Sequence, residues 1–437
     1  MRTMLAPGHG PPYNVRHRCG SVHPRTPMQM LSDPTEPDPR SPDLPEPRRR
    51  RALLFVGLAV AAVAFALALQ IGLCDNFVVG ELDLKGFHKG VLEAVREACG
   101  IVSLGILALL AGVAEPLLGA AMLVLFAVGL GSYAFIPDFR WLLITSVIWS
   151  QGLHVWMPLP DSMTLSLAEP GRSGFRLGQV RSAGAAGFGL GIGAALGLTL
   201  LGVRMRPMFL VAGAFGLLAA GMCFGIPRDL KTPGPRLVFR RRYGLYYLLC
   251  FLDGWRRQIF LCFAGFLLVR EYGTRLEIIL VLLGTVQAIS YFTMPWVGRL
   301  IDRVGERRVL VFYFTIVTLI FIGYTFIGNR YALYALYVSD NCFSALAAAL
   351  TVYVGRIAPP GERTPTLGMG VAMNHVSAVL MPLLGGLLWQ HFGYQWTFLA
   401  GVAAALVSIA VAFRVPRHDR IAEHAEALRC DRADGRS

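Results

Sequence analysis

The sequence predicts an all-α membrane protein of twelve transmembrane helices in two six-helix bundles, and three observations carry that prediction. Charge is scarce: Asp, Glu, Lys and Arg make up 16% of 437 residues while 55% are hydrophobic, against about 25% charged in an ordinary soluble domain. The apolar residues come in long runs, with a mean hydropathy of +0.54, and runs of about 18 residues or more can cross a bilayer. Basic residues gather on alternate connections between the runs, the asymmetry that sets orientation in membranes.

The runs fall at 52–73, 90–112, 117–136, 141–165, 177–201, 207–226, 243–269, 276–297, 309–327, 331–356, 366–388 and 393–414. At 1.5 Å per residue, about 20 residues span a hydrocarbon core of about 30 Å. Residues 1–51 are rich in Pro, Gly, Ser and Arg and lack apolar periodicity, so they are expected to form a disordered cytoplasmic tail. The tail ends in Arg48, Arg49, Arg50 and Arg51, which favour an N-terminus inside. The first apolar run starts too late and is too long for a cleavable signal peptide. With the N-terminus inside, the cytoplasmic connections carry Arg172 and Arg176, then Arg228, Lys231, Arg236 and Arg240–Arg242, then Arg299–Arg308, then Arg363. Outer connections are poorer, with Lys85 and Lys89 offset by Glu81 and Asp83. The reading is N-in and C-in, with residues 415–437 as a second cytoplasmic tail.

Net charge is +14. In a soluble chain that balance would point to nucleic acid. Here the excess is Arg distributed by loop, so no nucleic-acid partner is expected. Eight cysteines include no C-x-x-C pair, and most sit in apolar runs, where they act as small hydrophobes.

The longest inner connection, 227–242, divides the runs into six and six, giving bundles at 52–226 and 243–414. A shift of 190 residues aligns Ala168, Pro170, Gly171, Leu177 and Gly178 with Ala358, Pro360, Gly361, Leu367 and Gly368. These matches follow the fourth and tenth spans, as a duplicated half would place them.

Between spans eight and nine stands Gly298-Arg299-Leu300-Ile301-Asp302-Arg303-Val304-Gly305-Glu306-Arg307-Arg308. It resembles the G-x-x-x-D-R-x-G-R-R signature of the major facilitator superfamily, at the position that family uses. The resemblance covers residues 52–414. It implies two bundles around a central cavity, with alternating access by rocking of the halves. It also implies a gating role for Gly298, Asp302, Arg303, Gly305, Arg307 and Arg308. Asp302 would lie near the start of span five, around Leu177, Gly178 and Arg181, where the helix N-terminus favours a negative charge. The equivalent first-half loop, Ala111 to Leu117, offers only Glu115 in place of the Asp and no arginine.

Ionisable residues inside spans are expensive and mark function by default. Span seven holds Asp253, Arg256 and Arg257, about 15 to 21 Å along the helix from Tyr243. Asp253 and Arg257 are spaced i, i+4 on one face. Span ten carries Asp340 and Asn341. In the family's architecture these spans line the cavity, so Asp340 is expected to meet Arg256 or Arg257, either as a closed packing network or as a site for an anionic or zwitterionic substrate. Span four adds Gln151, His154 and Trp156, with Trp149 and Asp161 nearby; His154 sits about mid-span, and histidine is the side chain whose ordinary pKa lies nearest neutrality, so it is a candidate proton carrier. Glu93, Arg96 and Glu97 open span two at helical spacing, an outer-gate or cavity-rim set. Asn374, His375, Gln287 and Tyr291 are weaker candidates.

The chain has no phosphate loop, no H-E-x-x-H, no Cys/His metal spacing and no G-x-S-x-G. No enzyme activity, metal or cofactor is therefore expected. The expected function is secondary active transport of a small organic solute, leaning anionic or zwitterionic and proton-coupled, by a monomer in a bacterial inner or plasma membrane. Broad-specificity drug or metabolite efflux, and a non-transporting sensor or assembly factor, are the competing readings.

Overall fold

A computed structural model describes residues 44–169, 172–231, 239–358 and 360–416. The expected tails at 1–43 and 417–437 lie outside the described residues. The chain folds into α1 (Glu46–Gly80), α2 (Gly86–Leu109), α3 (Glu115–Gly131), α4 (Phe139–Trp156), α5 (Leu159–Leu167), α6 (Ser173–Leu200), α7 (Met205–Cys223), α8 (Gly244–Arg270), α9 (Leu276–Val304), α10 (Glu306–Phe326), α11 (Arg330–Ser344), α12 (Ala348–Ile357), α13 (Pro360–Phe392) and α14 (Tyr394–Ala412).

Two expected spans are each built from two helices. The fourth breaks at Pro158, between α4 and α5, where the ring removes an amide donor. The tenth passes through a 3₁₀ turn at Ala345–Ala347, a tightening that needs no proline. With those pairs joined, the described helices form the twelve expected spans. Ala168 and Ala358, matched by the 190-residue shift, both leave their helix in extended conformation.

Packing repeats between the halves. Helix α1 lies on α6 as α8 lies on α13, and α3 lies on α7 as α10 lies on α14. The halves meet where α2 packs on α13 and α6 on α9. At the first seam a Cβ on Gly90 would stand 2.1 Å from the Pro382 carbonyl oxygen, so only a glycine lets these backbones approach so closely. Large side chains such as Leu54, Val128, Leu217, Leu319 and Leu406 face outward and exposed, as a lipid-facing surface requires.

Three expectations about boundaries change. Helix α1 starts at Glu46 and runs to Gly80, so Arg48–Arg51 are helical and Asp75 lies inside the helix instead of beyond it. Lys89, expected in an outer connection, is 3% exposed within α2. The Gly298–Arg308 segment is mostly helix: α9 continues to Val304, and Gly305 alone, at φ 85°, turns the chain into α10. That φ is open to glycine at little cost.

Among the described residues, nine helices are long and apolar enough to cross a membrane by length and composition. Helices α2 and α8 are not among them, because three or more charges crowd every 18-residue stretch of each. Those two helices carry the candidate site.

Candidate functional site

Among the described residues the interior holds a charged network in each half. In the C-terminal half, Arg256 on α8 donates from Nη1 to both Asp340 carboxylate oxygens on α11, at 3.1 and 3.2 Å. Its Nη2 donates to the Tyr313 hydroxyl at 2.7 Å, which donates to Asp253 at 2.7 Å. Asp253 also lies 3.6 Å from Arg256. Burial is nearly complete: Arg256 is 0% exposed, Asp340 2% and Asp253 4%. The rings of Tyr313 and Phe321 flank the guanidinium at 5.5 and 5.9 Å.

The expected meeting of Asp340 with an arginine of span seven is present, and Arg256 makes it. The i, i+4 partnership of Asp253 with Arg257 is not: Asp253 turns to Arg256 and Tyr313, and Arg257 is exposed with no ion pair to a described residue. The surplus cation of span seven is therefore Arg257. Helical phase explains the exchange, since one residue along α8 is about 100° of rotation.

In the N-terminal half, Lys89 Nζ lies 2.8 Å from Asp75 on α1 and 2.9 Å from Glu93. Arg96 Nη1 lies 2.9 Å from the same Glu93 oxygen and stacks over Trp149 at 4.4 Å. Glu93 and Arg96 make the expected i, i+3 pair, but two to three turns inside the helix rather than at a rim. Asp75 and Lys89 were missed by sequence reasoning. The misplaced end of the first span hid Asp75, and its adjacency to Asn76 within an uninterrupted helical stretch was the available signal.

This second network faces a cavity of about 310 Å³. Charged and polar walls come from α1 and α2 (Gln70, Asp75, Lys89, Glu93, Arg96, Glu97) and, across the gap, from Gln258, Gln287, Tyr337 and Asn341. Phe188, Phe260 and Leu283 supply apolar wall. Asn341 donates to the Tyr337 carbonyl at 2.9 Å, which fixes its amide at the wall.

From span four, Trp156 packs toward Gly119 and away from the cavity, and it is 3% exposed. Gln151 is partly buried. His154 hydrogen-bonds through Nδ1 to the Ser150 carbonyl at 2.8 Å, and its ring lies 5.6 Å from that of His375. His375 Nδ1 in turn lies 3.3 Å from Glu97. Sequence spacing could not bring these three together, since each stands on a different helix.

Among the described residues, links between the halves gather toward one end of the bundle. They include Arg270 to Asp83, Asn76 to the Thr274 carbonyl at 3.0 Å, the Cys262 thiol to the Lys89 carbonyl, and Glu97 to His375. The Arg270 guanidinium holds the Asp83 carboxyl below its ordinary range. This is the end where α1 finishes and α2 starts, the expected outer side.

The opposite end carries the motif. Asp302 lies near the end of α9, and its side chain falls outside the described residues. Arg181, expected near it, pairs with Asp161 at 3.0 Å. Arg303 and Arg308 are exposed, and Arg307 stacks on Phe413 at 5.6 Å. Glu306 is buried at the start of α10 and pairs with Arg356 at 2.6 Å. Glu115, equally buried at the start of α3, accepts from Ser162 at 2.6 Å. Glu115 therefore corresponds to Glu306, each at a helix N-terminus, and not to Asp302.

Residues 246–429 match the family model described as Major Facilitator Superfamily. The fold matches a bacterial homologue of the human lysosomal transporter Spinster, in an inward-facing, unoccupied conformation, with a TM-score of 0.69, 14% identity and coverage of 85% of this chain and 97% of that one. It also matches the D-xylose-proton symporter, with a TM-score of 0.67, 12% identity and coverage of 84% and 98%. The chain has the major facilitator fold. A riboflavin transporter, RibZ of Clostridioides difficile, is 25% identical over 122 residues, which is 27% of this chain and 26% of RibZ. The chain spans about a quarter to a third of the length of the curated relatives it matches.

Proposed function

We propose that this major facilitator chain is a secondary active transporter of a small zwitterionic or anionic organic solute, working by alternating access with proton coupling. One observation carries the reading: a cavity of about 310 Å³ between the halves, lined by charges of both signs. That volume is at the lower end for ligand cavities. Lys89 and Arg96 can meet a carboxylate, and Asp75, Glu93 and Glu97 an ammonium, so a solute carrying both satisfies both sides.

The Arg270–Asp83 and Asn76–Thr274 links support a state closed on that side. Rocking of the halves would break Arg270–Asp83 and Asn76–Thr274 and open it. The loop charges support chain ends on the cytoplasmic side, in a plasma or bacterial inner membrane. The C-terminal network supports proton coupling. Two carboxylates share one guanidinium, which leaves one buried negative charge without a match. A buried unpaired charge is costly, and a proton on Asp340 removes it.

The test is transport by reconstituted vesicles, using a panel of amino acids and small carboxylates under an imposed pH gradient. Gradient-driven accumulation of a panel member is expected. Asp340→Asn should abolish that accumulation and leave counterflow exchange. If no panel member moves faster than in empty vesicles, the reading fails. Movement of lipophilic dyes alone would replace it with broad-specificity efflux.

A further inference from the structure

Glu97, His154 and His375 stand on α2, α4 and α13, and one ligand atom from each lies within 4.8 Å of the others. The first two belong to the N-terminal half and the third to the C-terminal half. All three are partly buried at mid-depth.

The tautomer of His154 is set by its neighbour. Nδ1 lies 2.8 Å from the Ser150 carbonyl oxygen, which can only accept, so Nδ1 carries the proton and Nε2 presents a lone pair. A histidine ligand held through its other nitrogen by a carbonyl is the usual arrangement at metal sites. His375 Nδ1 is buried without a hydrogen bond to a described atom and lies 3.3 Å from the Glu97 carboxylate.

Gly100, one turn beyond Glu97, makes the room. A Cβ there would stand 2.7 Å from His375 Cε1 and Nδ1 and 3.0 Å from His154 Cδ2. The helix backbone thus carries a notch that both rings occupy. Glu97 also lines the central cavity, which leaves a path for an ion and a free coordination position.

We propose that Glu97, His154 and His375 bind one divalent transition-metal ion of the zinc class, which ties the two halves together. Two imidazoles and a carboxylate suit Zn²⁺, Co²⁺ or Ni²⁺ rather than Ca²⁺ or Mg²⁺. Metal–ligand distances of about 2.0–2.2 Å require the three donors to draw in from their present spacing, which side-chain rotation supplies. An ion held by α2, α4 and α13 adds a cross-link at the depth where the inter-half hydrogen bonds end. It favours the arrangement with the Asp83–Arg270 side closed. The proposal does not rest on the identity of the solute or on proton coupling.

The experiment is Co²⁺ titration of the full chain in nanodiscs, read by its visible ligand-field bands, followed by Zn²⁺ displacement. One Co²⁺ per chain with four- or five-coordinate bands is expected. His154→Ala, His375→Ala and Glu97→Gln should each weaken binding at least about tenfold. Zn²⁺ should raise the Tm of the natural chain and not that of His375→Ala. Each variant is first checked for a monodisperse, helical state. The titration of the natural chain stands even where a variant fails to fold. Absence of a stoichiometric band, or binding unchanged in the three variants, overturns the proposal and leaves a histidine–carboxylate contact. Either result is independent of vesicle transport.

Discussion

The two charged networks differ in what surrounds them. Asp253, Arg256, Tyr313 and Asp340 form a closed knot at 0–4% exposure, with rings on the guanidinium and no wall on the 310 Å³ cavity. Asp75, Lys89, Glu93 and Arg96 form a chain of alternating charge whose members all line that cavity. The first is shut away from the space between the halves and ties α8, α10 and α11 together. The second keeps one side toward the space between the halves. Two sets of charges can thus stand closed in one half and open to a solute in the other. The cavity separates them where residue type does not, since even Lys89, at 3% exposure, borders it.

The largest effect is expected where the closed knot is broken. Arg256→Met leaves two buried carboxylates without a cation and should cost about 3–5 kcal/mol, read as a fall in Tm of the solubilised chain. Adding Asp253→Asn and Asp340→Asn should recover most of that loss. Failure of the triple variant to recover would show that Arg256 acts through packing and not through charge.

An intermediate effect is expected in the open chain. Lys89→Met should cost less stability, about 1–3 kcal/mol, because water in the cavity can reach Asp75 and Glu93. It should lower transport by at least about tenfold, equivalent to about 1.4 kcal/mol. A stability loss matching that of Arg256→Met, with transport per folded molecule intact, would erase the distinction between the networks.

The smallest effect lies outside the membrane. Arg176 hydrogen-bonds to Glu169 and holds its carboxyl down to about 2. A depressed carboxyl contributes stability that is complete above its unfolded value of about 4.3 and lost as pH falls toward 2. The difference in Tm between the natural chain and Glu169→Gln should therefore be small at neutral pH and vanish over that window. A difference that grows on acidification would mean that Glu169 is not the group held by Arg176.

Much of the fold was legible because a bilayer imposes simple rules. Twelve apolar runs, alternate basic connections and the Gly298–Arg308 segment led to the observed helices. The misreadings came from ends and phases. Charges at 75 and 89 were placed outside the bilayer because hydropathy ends where charge begins, whereas a helix continues wherever its charges find partners. Arg256 and Arg257 were not separable by type. The i, i+4 rule favoured Arg257 for Asp253, but the position of Tyr313 and Asp340 favoured Arg256.

The sequence by itself determined the number of spans, their division into halves and the presence of costly charges in spans seven and ten. These follow from helix rise and bilayer thickness, which are local. Only the tertiary structure decided which charges close on one another, that Asp75 and Lys89 belong to the cavity, and that Glu97, His154 and His375 converge over the notch at Gly100. Those outcomes depend on the rotation of each helix and on contacts between residues as many as 278 positions apart in the chain, from Glu97 to His375.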